Sequence, residues 1–334
     1  MKTALLSASL AFALTGTMLA STALAQDVTL RASHQWPGGS GDVRDEMVQL
    51  IKREVEAADV GLSMQIFPGG SLFKPRDQWA AVTRGQVDIT AFPLDYASGR
   101  HPEFSATLMP GLVRNHDRAS RLNDSEFMER IKKIVDDAGA IVLSDAWLAG
   151  GFVSNEKCIT SPETAKGQIL RAAGPAFEQM LVGAGASISS MPSSEIYTGI
   201  QQNVLTGANT SSGSLVSYRI YEVSKCLTAP GANALWFMYE PILMSKRSFD
   251  RLNDEQKKAL MDAGQKAEEY FATEAANLDQ TLVDTYKENG VEVVEMSQDD
   301  YDAWLKIAQE TSYKEFAAEV PNGKQLIDQA LAVE

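Results

Sequence analysis

Two hydrophobic periods alternate along this chain. Residues 28–33 alternate apolar and polar side chains and are rich in β-branched residues, so a strand is expected there. After the Pro37-Gly38-Gly39-Ser40-Gly41 turn, apolar residues fall at Val43, Met47, Leu50, Ile51 and Val55, the spacing of one helix face. A second strand is expected over 62–67, closed by Pro68-Gly69-Gly70. A short helix over 76–84 stops at Gly85, and a third strand follows over 87–91. The alternation returns later with strand 168–172, helix 175–183, strand 187–191 and helix 193–203. Strand-helix alternation predicts an α/β protein with largely parallel sheets.

One helix exceeds this scale. Asn253 with Gln256 three residues on reads as a capping box, and no proline interrupts the pattern from 254 to 289, where Gly290 ends it. At about 1.5 Å per residue this is roughly 54 Å. A lobe of about 150 residues is only some 35–40 Å across. The helix therefore breaks, with Gly264 the candidate, or spans two lobes.

The first residues read as a targeting segment. Lys2 supplies positive charge, an apolar run interrupted by Ser, Thr and Gly16 follows over 4–19, and Ala23-Leu24-Ala25 is a small-x-small cleavage site. A signal peptide over 1–25 implies an exported protein. The formal net charge of −14 disfavours nucleic acid and anionic lipid as partners. It also means that any bound anion needs a cation placed for it. The two cysteines, Cys158 and Cys226, would meet an oxidising compartment, where a pair tends to close; two free buried thiols are the alternative.

Catalytic parts are hard to find. The three histidines, His34, His101 and His116, are scattered without metal-ligand spacing. No nucleophile elbow or phosphate loop is present, and Gly183-Ala184-Gly185 follows a helix rather than a strand. No catalytic residue, metal site or cofactor is expected.

Several segments resemble one family. Lys166-Gly167-Gln168-Ile169-Leu170-Arg171 is similar to the "KGxKxR" strand of TRAP-type (DctP-like) solute-binding proteins. Met191-Pro192-Ser193-Ser194-Glu195-Ile196-Tyr197-Thr198-Gly199-Ile200-Gln201-Gln202 resembles their "MPxxEVYxALQ" helix. The stretches 218–227, 67–72, 85–89 and 251–260 resemble the family's "YEVxKYL", "xPGGxLG", "GxVDI" and long-helix entry. The resemblance implies a two-lobed periplasmic binding protein fold with the long helix crossing both lobes. Lobe I would comprise 26–148 plus 237–276, and lobe II 149–236 plus 277–334. Ligand would bind in the cleft, the lobes would close on it, and membrane permease subunits would receive it. Arg171 would clamp a ligand carboxylate with its planar fork of donors. Asn209 and Thr210 stand near the family's "DGxEN". Trp36, Phe92, Trp147 and Trp236 fall where the family's chain approaches the cleft, although buried aromatics are more often core.

Departures from the family suggest the ligand. Gly151 stands where some relatives carry a second arginine, and Ser193 replaces a phenylalanine. One cation among several rings suggests a monocarboxylate with an aromatic, benzoate-like body. A short hydroxy or keto acid is the alternative, as is a chemosensing role. A periplasmic enzyme acting on carboxylates is a remoter reading, for which no histidine base is found near Arg171.

Overall fold

The structure, a computed structural model, describes residues 27–232 and 234–333; the leader expected over 1–25 lies outside them. Among the described residues no helix is long and apolar enough to cross a membrane. The strands are β1 (Val28–Ser33), β2 (Leu62–Phe67), β3 (Ile89–Ala91), β4 (Ala140–Ser144), β5 (Trp147–Ser154), β6 (Ile169–Ala172), β7 (Ser187–Ser190), β8 (Gly207–Ser211), β9 (Cys226–Ala229), β10 (Trp236–Tyr239), β11 (Ile242–Ser245) and β12 (Glu292–Glu295).

They form two sheets. The first runs β2-β1-β3-β11-β4; the second runs β12-β9-β5-β8-β6-β7, with β10 also on β5. The class is α/β, but the sheets are less parallel than the strand-helix alternation suggests. β11 runs antiparallel to β3 and β4, and β5 runs antiparallel to β8, β9 and β10. The strands that run against their neighbours are the ones at the passages between sheets. β4 leads into β5 through Asp145-Ala146, and β10 leads into β11 through Glu240-Pro241, so each link carries the chain directly from one sheet to the other. The two links lie side by side, with Glu240 N–H donating to the Ala146 carbonyl at 2.7 Å.

The long helix Asp254–Glu288 is unbroken. Asn253 and Gln256 cap it reciprocally, at 2.8 and 3.2 Å. Gly264 does not break it; it lets the helix approach β4. A Cβ there would lie 2.4 Å from the Leu143 carbonyl. Leu260, Ala263, Ala267, Phe271, Ala275 and Leu278 pack into the core of the first sheet, with Leu30, Met47 and Ile89. Leu282 and Tyr286 enter a separate core under the second sheet, with Val153, Ile196 and Leu227. One helix thus supplies hydrophobic surface to both lobes. Cys158 and Cys226 form a disulfide, which ties the segment after β5 to the start of β9.

Candidate ligand site between the lobes

Arg171 lies on β6, paired through its backbone with Ala208 of β8, and its side chain is fully buried. Its Nε donates to the Met191 carbonyl at 2.8 Å, one terminal nitrogen to the Asn209 carbonyl at 2.8 Å, and the other to the Tyr96 hydroxyl at 3.0 Å. No carboxylate is among these partners. A guanidinium has five N–H donors, so the fork keeps capacity for an incoming anion. Burial lowers its pKa, against the Tyr96 hydroxyl that supports the charge, but arginine remains a cation.

Asn209, whose backbone carbonyl Arg171 bonds, has a buried side chain, and neither its amide nitrogen nor its amide oxygen has a hydrogen-bond partner. Buried polar atoms without partners are rare enough to need an explanation, and a ligand is one. In the register that pairs Arg171 with Ala208, strand alternation keeps Thr210 on the face of Arg171 and sends Asn209 and Ser211 to the other. Phe92 meets Tyr96 edge-on at 6.2 Å, placing it one ring behind Arg171. Trp236 covers the bare face of Gly150, and its indole N–H is buried without a partner. Trp36, at the exit of β1, lies under Arg44 at 4.2 Å, again with an unpartnered N–H. Two of the tryptophans line cavities that Arg171 does not: Trp236 one with Gly151, Phe152, Thr228 and Tyr301, and Trp147 another with His116, Asp145, Glu268 and Phe271, where its indole donates to Asn123 at 2.8 Å.

The glycine expected to replace an arginine has no room for one. A Cβ on Gly151 would lie 2.3 Å from the Thr228 carbonyl, and one on Gly150 would lie 2.1 Å from the Thr210 carbonyl. Ser193, in place of the family's phenylalanine, is buried, and its backbone N–H donates to the Tyr96 hydroxyl at 3.0 Å. Tyr96 thus accepts from both Arg171 and Ser193, leaving its own proton to donate.

Three residues important here carry no periodic or motif signal. Arg44 sits in the first turn of the helix Val43–Ala57. It donates to both oxygens of Asp42 (2.9 and 2.7 Å), to Glu240 (3.0 Å) and to Ser211 and Ser214 (2.9 and 3.2 Å). Burial works against its charge, but Asp42 and Glu240 overcome that and raise its pKa. Burial raises Glu240, against the pull of Arg44. The network joins the first lobe, the Glu240 link and the second lobe. Asp95 and Tyr96 lie in the helical turn Leu94–Ala97 of the first lobe yet touch the second. Burial, foremost, and Glu178 push the Asp95 carboxyl up to about 7, against Arg76 and Arg171. The only hint in the sequence was an acid in the otherwise apolar run after β3.

Two lobes joined by short links, a helix common to both and a buried cation between them define a two-lobed binding protein. The chain belongs to the bacterial extracellular solute-binding proteins of family 7, the DctP family, whose model matches residues 33–319. It is 38% identical to a solute-binding protein of Albidiferax ferrireducens over 307 residues, 90% of each chain. Its fold matches that of a TRAP periplasmic solute-binding protein from Rhodoferax ferrireducens with bound malonate. The TM-score is 0.87 and the identity 35%, covering 90% of this chain and 96% of that one. It also matches a Bordetella pertussis extracytoplasmic solute receptor binding pyroglutamic acid, with TM-score 0.82, 20% identity, and 91% and 99% covered. The chain is a TRAP transporter solute-binding protein, a receptor and not an enzyme.

Proposed function

We propose that this chain is a periplasmic receptor that captures a small organic monocarboxylate on Arg171 and presents it to the membrane permease subunits of a TRAP-type transporter. The observation that carries the reading is Arg171 itself: a fully buried guanidinium whose hydrogen bonds go to two carbonyls and a phenol and to no carboxylate. A signal peptide over 1–25 would deliver the chain to the periplasm. The lobes, joined through Asp145-Ala146, Glu240-Pro241 and the helix between Leu278 and Leu282 rather than at 148–149, 236–237 and 276–277, would close on the ligand.

Two features bear on the body of the acid. Trp36, Phe92 and Trp236 supply ring surface, which suits a flat body such as a benzoate. Against this, the Asn209 and Gln35 amides and two indole N–H groups are buried without partners. Each such group costs about 1–3 kcal/mol unless something bonds it. We therefore favour a compact acid that carries a hydroxyl, keto or amide group beside its carboxylate, with the benzoate as the second reading. The receptor that binds pyroglutamic acid is in keeping with such an acid, while the relative that holds malonate, a dicarboxylate, is in keeping with its small size alone.

A thermal-shift panel of pyroglutamate, lactate, pyruvate, malonate, glucuronate and benzoate decides between them. The largest upward shift is expected from a short monocarboxylate. Stabilisation by benzoate alone would install the aromatic reading, and none by any carboxylate would remove the anion site.

A further inference from the structure

Asp95 sits where the lobes meet. It belongs to the first lobe, yet a Cβ placed on Gly174 of the second would lie 1.8 Å from its Oδ2. Gly174 caps the start of the helix Pro175–Gly183. The Asp95 residue is 1% exposed, and neither carboxyl oxygen has a well-formed hydrogen bond, although the Ser105 hydroxyl is near enough to weigh on its charge. The charged groups around it are Glu178 on that helix, Arg76 in the turn Pro75–Asp77, and Arg171 on β6. Both arginines have other partners: Arg76 donates across the lobes to Ser190 at 3.1 Å, and Arg171 is held as described above. Both lobes contribute to burying Asp95, so parting them returns its carboxyl to water.

We propose that closure of the lobes over a bound anion takes up a proton from solvent on the Asp95 carboxylate, so that the receptor holds its ligand as an anion plus a proton. The proposal rests on the anion-site reading above. The charges of the closed interface explain the need. Arg171 and Arg44 already face Asp42 and Glu240, so a ligand carboxylate makes the set negative and an ionised Asp95 makes it more so. Protonation removes that last charge by forming one O–H bond and adds a donor.

The sign follows from the two states. A carboxyl in water titrates near 3.9. In the closed state burial and Glu178 bring Asp95 to about 7. The closed state therefore binds more protons between about pH 4 and pH 7, and closure gains as pH falls through that window. Above it the ionised carboxylate opposes closure in full. Below it both states are protonated and the gain stops growing.

A donor–acceptor dye pair, one dye on each lobe, reads the closed fraction of the ligand-free protein from pH 8 to pH 5. The closed-to-open ratio should rise by up to about tenfold per pH unit below pH 7. Asp95→Asn should remove that rise and close as readily at pH 8 as the wild type does near pH 5; Asp95→Ala provides a second neutral variant. The histidines titrate in the same window, so the difference between variants is the readout. Calorimetry with pyroglutamate in two buffers of different ionisation enthalpy should show about one proton taken up at pH 6 and nearly none at pH 8. A closed fraction that ignores pH, or one that responds equally in Asp95→Asn, overturns the proposal. Failure of pyroglutamate, malonate and benzoate to bind at every pH would count against the anion site instead, and the dye pair would still decide the role of Asp95.

Discussion

Two arginines are buried between the lobes, and their surroundings differ in kind. Arg44 has two carboxylates, two hydroxyls and a tryptophan face. Arg171 has two backbone carbonyls and a phenol. The first is neutralised by the protein itself and fastens three parts of the fold. The second is oriented as firmly, but none of its hydrogen bonds goes to a carboxylate, and Asp95 supports its charge only from nearby. An apparently equivalent buried cation is thus satisfied by carboxylates in one place and by neutral groups in the other, which is what the proposed anion site requires. An acidic protein can attract an anion to a site of this second kind because the low-dielectric surroundings strengthen the local charge while the surface repulsion is screened by salt.

The difference can be broken by substitution. Arg44→Met should cost about 3–5 kcal/mol of stability, because it leaves Asp42 and Glu240 buried without their cation. Arg171→Met should cost less, about 1–2 kcal/mol, since the partners it bonds are two carbonyls and a phenol rather than carboxylates. Urea unfolding of the two variants, without ligand, checks this order; equal losses would erase the distinction. Next in size is Arg171→Lys, which keeps the charge and loses the fork. Calorimetry with the best carboxylate of the panel should show a loss of about 2–4 kcal/mol, or about 30-fold and more. An unchanged affinity would take Arg171 out of the site. The smallest effect is expected from Asn209→Ala. Affinity should fall by about 1 kcal/mol, near fivefold, while stability holds or rises because an unpartnered buried amide has gone. A loss of stability without a loss of affinity would make Asn209 a structural residue.

The fold was largely legible because periodicity is a local signal. The spans of β1, β2 and the helix Pro175–Gly183 follow from apolar spacing and from turn residues such as Pro68-Gly69-Gly70. Strand direction was not, since β5 and β11 pair with strands far along the chain, and those partners show only in three dimensions. Within the site, Arg171 stood out through a motif. Asp95, Tyr96 and Arg44 did not, because their roles depend on Gly174, Ser193 and Ser211, which lie far along the chain on the other lobe. Trp147 shows the converse: a plausible residue type in a plausible stretch, turned to a different pocket by its bond to Asn123.

The long helix has a mechanical consequence. Two bodies joined by one flexible tether can drift, twist and tumble independently. Here they share two strand links laid side by side and a helix whose first half is pressed onto β4 at Gly264 and whose last turns are sunk in the other core at Leu282 and Tyr286. These shared elements resist sliding and separation. Any change in the angle between the lobes has to be taken up by bending the two links and the stretch of helix between Leu278 and Leu282, so the helix acts as a spring as well as a strut.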